Sequence, residues 1–171
     1  MSENWKDKLS AVRVFVFDVD GVLTDGGLTF DEQGRMSKRF YVRDGSGIHR
    51  AKSAGYTVVW ITGHSPQCVE RGARELGVDH FFSEIWDKQE LLRSLMKDRD
   101  WPPESLAYMG DDRNDIRAMR LCGLRACPSD ACADVLDEVD YVASKPGGGG
   151  AVRDLIELVM RHHGTWPPIA D

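Results

Sequence analysis

The sequence predicts an α/β fold: a doubly wound, Rossmann-like parallel sheet with helices on both faces and a β-hairpin to one side. Three observations predict it. Short apolar segments alternate with helix-compatible ones along almost the whole chain, the pattern of right-handed β-α-β crossovers. Glycines (Gly55, Gly77, Gly123) stand where helices should stop. A chain of 171 residues, 42% hydrophobic and 29% charged, also suits one domain with a substantial core.

The first apolar segment, Val12–Asp18, is a run of β-branched and aromatic residues and reads as a strand buried on both faces. It carries Asp18 and Asp20 to its carboxyl end, where Gly21 permits a sharp turn. From Gly27 to Val42 two β-capable arms flank the polar stretch Asp31-Glu-Gln-Gly34, the pattern of a hairpin projecting beside the acids. Helices are then expected over Gly45–Ala54, Pro66–Leu76, Lys88–Lys97, Asn114–Leu121, Ala131–Leu136 and Ala151–His162. The strands between them are Tyr56–Ile61, His80–Phe82, Leu106–Met109, Leu124–Ala126 and Asp140–Val142. Pro102-Pro103-Glu104-Ser105 is a turn, and only the tail after Gly164, with Trp166-Pro-Pro, is irregular. With no repeat, low-complexity segment or linker, residues 1–171 read as a single domain.

Composition excludes several classes. A net charge of −6 argues against nucleic acid, whose phosphates demand clustered Lys and Arg. There is no 18-residue apolar run to span a membrane and no apolar leader after Met1, so a cytoplasmic location is expected. Cys68, Cys122, Cys127 and Cys132 match no CxxC pattern and are expected as reduced thiols. The five histidines are scattered, which gives no support to zinc chemistry.

In an open α/β sheet, ligands bind beyond the carboxyl ends of the strands. Four motifs fall there in this chain. Asp18 and Asp20, two residues apart, can face one ligand through different atoms, one attacking or holding a metal while the other moves a proton. Thr62-Gly63 offers a hydroxyl and an amide suited to phosphate oxygens. Asp87-Lys88 puts a cation at a helix N-terminus. Gly110-Asp111-Asp112, with Asp115 just beyond, clusters carboxylates that repel one another without a cation, and all-oxygen ligation suits Mg²⁺. Taken singly these are a wet turn, a plain strand-to-helix turn, a surface lysine and an acidic helix start; their order along one sheet edge is the telling feature.

That order resembles the haloacid dehalogenase superfamily, whose phosphatases carry DxD, Ser or Thr, Lys and an acidic fourth motif in sequence, and the likeness extends from Val12 to about Leu158. The resemblance implies that Asp18 is a nucleophile forming an aspartyl-phosphate and Asp20 a general acid, then base. It implies that Asp18, the backbone carbonyl of Asp20 and Asp111 hold Mg²⁺, with Asp112 or Asp115 behind them. Thr62, the Gly63 amide and Lys88 would stabilise the phosphoryl charge. A response-regulator receiver, the other Asp-phosphorylated α/β domain, carries its acceptor after the third strand and not the first.

Many superfamily members insert a cap domain, and here neither gap between motifs has room for one. An open site must accept macromolecules or borrow a lid from another subunit. Asp18–Gly26, Val42–Ile48, Gly110-Asp111-Asp112 and Gly147–Arg153 resemble the 3-deoxy-D-manno-octulosonate 8-phosphate phosphatase family. That resemblance implies a small phosphorylated sugar acid as substrate and a homotetramer built through the hairpins. Leu28, Phe30, Phe40 and Tyr41, otherwise exposed apolar residues, independently fit such an interface. Arg43 and His64 are candidate substrate contacts. The octulosonate enzymes usually follow Thr-Gly with Arg, and the related nonulosonate 9-phosphate phosphatases often with Glu. His64 departs from both, which leaves the nine-carbon sugar as an alternative, while Arg43-Asp44-Gly45 favours the eight-carbon one. A non-catalytic oligomerisation domain of sialic-acid-activating systems is the alternative of another class, and the presence of all four motifs weighs against it.

Overall fold

The computed structural model describes residues 5–64 and 67–168. Its strands are β1 (Val14–Phe17), β2 (Thr29–Phe30), β3 (Met36–Ser37), β4 (Thr57–Ile61), β5 (His80–Phe82), β6 (Leu106–Met109), β7 (Leu124–Cys127) and β8 (Tyr141–Val142). Its α-helices are α1 (Val42–Ser53), α2 (Gln67–Glu75), α3 (Lys88–Asp98), α4 (Arg113–Met119), α5 (Ala133–Leu136) and α6 (Ala151–His162). Six strands form one sheet in the order β5-β4-β1-β6-β7-β8, every pair parallel. The first strand of the chain is therefore central, and strand order reverses on either side of it. The crevice at such a switch point is where an α/β sheet binds its ligand.

Alternation along each strand divides the core into two layers. Phe15, Phe17, Val58, Trp60, Ala107 and Met109 face one side and pack on α1, α2 and α6 through Ile48, Ala51, Val69, Val152 and Ile156. Val14, Val16, Val59, Ile61, Leu106 and Tyr108 face the other and pack on α3, α4 and α5 through Leu92, Ala118, Met119 and Val135. Burying both faces explains the unbroken apolar reading of these strands. Each fully buried large apolar side chain contributes about 1.5–3 kcal/mol.

The structure corrects several boundaries. The hairpin ladder is only Thr29–Phe30 against Met36–Ser37, not the whole of 27–42. Phe40 leaves it to stack on Trp60, ring centroids 5.9 Å apart, and Val42 already opens α1. Leu28 and Phe30 are exposed as expected, whereas Phe40 and Tyr41 are half-buried. Gly55 and Gly77 have the positive φ of helix stops (88° and 62°), but Gly123 does not. Its lack of a Cβ instead lets it lie against the backbone of Glu104. Helix α4 ends at Met119, before Leu121, and α5 begins at Ala133 and not at Ala131. The predicted start of α2 at Pro66 lies outside the described residues. A 3-10 segment, Trp5–Ala11, was not foreseen; it is held by Lys8 on Asp140 at 2.7 Å and Trp5 against Tyr141. All four cysteines are free thiols, and no described helix is long and apolar enough to cross a membrane.

The tail is pinned. Thr165 N–H donates to Met160 O at 2.8 Å, and the Trp166 ring lies 4.4 Å beneath the Arg153 guanidinium. The glycine run 147–150 is likewise packed, directly against the turn after β1. Gly148 N–H donates to Val22 O at 2.9 Å, and a Cβ on Gly147 would run into the backbone carbonyl of Gly21. Gly147→Ala should therefore cost about 2–4 kcal/mol in urea unfolding, because backbone must move. Gly34→Ala, with φ at 74° but nothing within 4 Å of the added carbon, should cost about 1 kcal/mol.

Candidate active site

Asp18 follows β1, its N–H still paired to Met109 O at 3.1 Å, so the sheet itself sets where this carboxylate stands. Lys88, the first residue of α3, reaches across from the opposite side. Its ammonium is 2.7 Å from Asp18 Oδ1 and 2.8 Å from Asp115 Oδ1, all three side chains being buried. Asp87 accepts the Glu90 N–H at 3.0 Å, capping the helix and aligning that lysine. Asp115 is fully engaged: Tyr108 Oη donates to its Oδ1 at 2.9 Å, and the Asp111 and Asp112 amides point at its Oδ2 from 3.3 and 3.5 Å. Gly110 leaves room for this, since a Cβ there would strike the Asp115 carboxylate.

Charge dominates the site. Burial, then the charge of Asp115, lifts the Asp18 carboxyl well above the ordinary range, against the pull of Lys88. Burial opposes the Lys88 charge, but Asp18 and Asp115 outweigh it and raise its pKa. Asp111 is pushed up to about 7 by burial and by Asp115. One oxygen from each of Asp18, Asp111 and Asp115 falls within 4.8 Å of the others. Asp111 Oδ1 is buried without a hydrogen-bond partner. The Asp111 carboxylate comes against the turn after β1 because residue 21 is glycine; a Cβ added there would collide with it. An orphaned oxygen among crowded hard donors fits a small divalent cation such as Mg²⁺. Asp115 has its oxygens committed to Lys88, Tyr108 and backbone amides, so Asp18 and Asp111 are the side chains free to hold it. Asp112 caps α4, accepting the Arg113 N–H at 2.8 Å.

Asp20 stands two residues on, its side chain 32% exposed. Thr24 Oγ1 donates to its Oδ1 at 3.4 Å, and Lys38 Nζ lies 2.5 Å from the same oxygen. Sequence reasoning missed Lys38. It lies just past β3 in an arm that reads as exposed, and nothing in the local pattern marks its side chain as 0% exposed. Thr62 leaves the end of β4 beside the β1 turn, since Phe17 and Trp60 are paired neighbours. Its buried hydroxyl donates to His64 O and accepts the His64 N–H, both at 3.1 Å. Gly63 is half-buried and open beside Ile85, and the His64 ring is exposed. Arg43 is exposed on the first turn of α1, in a cleft of about 290 Å³ whose lining includes Lys145, Arg153, Asp154 and Glu157 but not Asp18, Asp20, Asp111 or Asp115. Its neighbour Asp44 is buried and accepts the Arg153 N–H at 2.7 Å, tying α1 to α6; burial pushes its pKa up to about 6.

No protein-family model matches the chain. Whole-chain relatives do. It is 36% identical over 159 residues to the 3-deoxy-D-manno-octulosonate 8-phosphate phosphatase KdsC of Haemophilus influenzae, covering 93% of this chain and 88% of that protein. The crystal structure of the Moraxella catarrhalis 3-deoxy-D-manno-octulosonate 8-phosphate phosphatase, in complex with magnesium, phosphate and KDO, superposes with a TM-score of 0.91. It is 34% identical and covers 95% of this chain and 93% of its own. The cobalt-bound Haemophilus influenzae deoxy-D-mannose-octulosonate 8-phosphate phosphatase (YrbI) gives 0.87 at 36% identity, covering 92% of each chain. The buried Asp18–Lys88–Asp115 array and these whole-length likenesses agree: the chain belongs to the 3-deoxy-D-manno-octulosonate 8-phosphate phosphatase family of the haloacid dehalogenase superfamily.

Proposed function

We propose that this chain hydrolyses 3-deoxy-D-manno-octulosonate 8-phosphate to 3-deoxy-D-manno-octulosonate and phosphate, with Mg²⁺ as cofactor. The observation that carries this reading is the Lys88 ammonium shared by Asp18 and Asp115, beside the unpartnered Asp111 oxygen. Asp18 attacks phosphorus in line, an Asp18–phosphorus bond forming as the ester P–O bond breaks. Asp20 gives the leaving alkoxide its proton and later takes one from the water that hydrolyses the aspartyl-phosphate. Lys88 offsets the repulsion between the Asp18 anion and the incoming dianion. Thr62 and the Gly63 amide receive phosphoryl oxygens, the Thr62 hydroxyl exchanging its local bond to His64 for the substrate. Held by Asp18, the Asp20 carbonyl and Asp111, Mg²⁺ would add charge neutralisation at the same oxygens.

The names of the relatives support the eight-carbon sugar over the nine-carbon one, and the complete set of site acids supports a catalyst over a purely regulatory domain. His64 and Arg43 are proposed as contacts to the sugar acid, His64 from beside Thr62 and Arg43 from its separate cleft. We further infer self-association through the hairpin, as a homotetramer in a cytoplasmic setting. Leu28 and Phe30 at 52% and 57% exposure support it, because two large apolar side chains, one on the ladder and one just before it, gain more by burial than by hydration.

Phosphate release from the octulosonate ester should depend on Mg²⁺, and Asp18→Asn should lower kcat by at least about 1,000-fold. Retained activity in that variant would overturn the nucleophile assignment, and a preference for hexose phosphates would overturn the substrate. Saturating Mg²⁺ should raise the Tm of the metal-free chain by about 4 °C, a gain that Asp111→Asn removes. Light scattering should give a tetramer that Phe30→Asp, Leu28→Asp dissociates.

A further inference from the structure

Two lysines, Lys88 and Lys38, have side chains no more than 1% exposed and paired to the DxD acids, one ammonium for each acid. Lys88 belongs to the mechanism above. Lys38 does not, and its surroundings differ. Lys88 is shared by two carboxylates, whereas among the described residues the hydrogen bonds of Lys38 run to Asp20 alone. It comes from the hairpin, which is mostly exposed and whose ladder is two residue pairs. The next residue, Arg39, pairs with Asp25 Oδ2 at 2.8 Å. The hairpin is thus fastened to the turn after β1 by consecutive cations on acids of that turn, and the buried one grips the carboxylate that moves protons. Burying an ammonium is costly unless a partner compensates, and Asp20 is that partner for Lys38.

We propose that Lys38 is a positioning residue for proton transfer: it fixes the Asp20 carboxyl in line with the leaving oxygen and makes that alignment depend on the seating of the hairpin. Thr24 alone leaves Asp20 free to rotate, its hydroxyl being 3.4 Å away and shared with the Val19 carbonyl. This rests on the phosphatase reading of Asp20. In the step concerned, the Asp18–phosphorus bond forms, the ester P–O bond breaks and the Asp20 proton passes to the departing oxygen. Lys38 neither gains nor loses a proton.

The test compares two leaving groups. An aliphatic alkoxide needs the proton from Asp20, whereas nitrophenolate leaves without one. Lys38→Met should lower kcat/KM on the sugar phosphate about 10- to 100-fold, and at least ten times more than on p-nitrophenyl phosphate. Lys38→Arg, which keeps a cation on the hairpin, should recover most of the loss. Equal losses on both esters would overturn the proposal, as a merely structural lysine affects both alike; so would no loss on either. If Lys38→Met fails to fold, the pair Asp20→Asn, Lys38→Met leaves no orphaned buried charge. Its activity should match that of Asp20→Asn, and a further tenfold loss would overturn the proposal. Any aliphatic phosphate that the unaltered chain hydrolyses serves as the first substrate. Failure on octulosonate 8-phosphate alone therefore counts against the substrate reading and leaves the Lys38 comparison standing.

Discussion

One buried ammonium decides how the carboxyl edge of this sheet is assembled. Lys88 satisfies Asp18 and Asp115 at 2.7 and 2.8 Å in a space from which water is almost excluded. Without it, acids from β1 and from the start of α4 would face each other unpaired, at a cost that grows as the local dielectric falls. The two sequence segments are far apart, and both are aimed at this point by parallel neighbours, β1 beside β6. Tyr108, buried in the core layer below, lends its hydroxyl to Asp115 and so connects strand packing to the charge array. Asp111 remains outside this economy of pairs, with one oxygen uncommitted, which is what makes the array receptive to a cation.

The strands and the acid motifs were legible because each is local. An unbroken apolar run ending in Asp18-Val-Asp20-Gly21 announces a buried strand and its loop without reference to anything distant. The same holds for Leu106–Met109 followed by Gly110-Asp111. Helix ends were legible where a glycine adopts positive φ, as at Gly55 and Gly77, and the end of α5 at Leu136 was read correctly without one. Gly123 misled for a physical reason: its small size serves a tertiary contact with Glu104 and not a left-handed stop. Gly45 and Gly47 are similar, a helix giving up propensity so that Leu76 and Arg153 can approach. The distinction between a glycine for φ and a glycine for space is set by neighbours that a linear reading does not supply.

Lys38 shows the same limit at the site. Its partner lies eighteen positions away across a turn whose geometry depends on a glycine run much farther along the chain. The sequence reads as hairpin arm all the way to Val42, whereas the last residues of that arm turn inward. Phe40 goes to the Trp60 ring and Lys38 to Asp20. Asp44 presents the converse. The Arg43-Asp44-Gly45 segment reads as site chemistry, yet its acid is spent on the Arg153 amide, holding α1 against α6.

The packing of Gly147 and Gly148 on the turn after β1 bears on how the molecule comes to exist. The turn that carries Asp20 is made early relative to its floor, which Gly147 and Gly148 supply from far downstream. During synthesis, which runs from the amino end, the first acids emerge long before anything supports them. A growing chain therefore holds its chemistry in abeyance until the glycine run has followed the sheet that bears the other motifs.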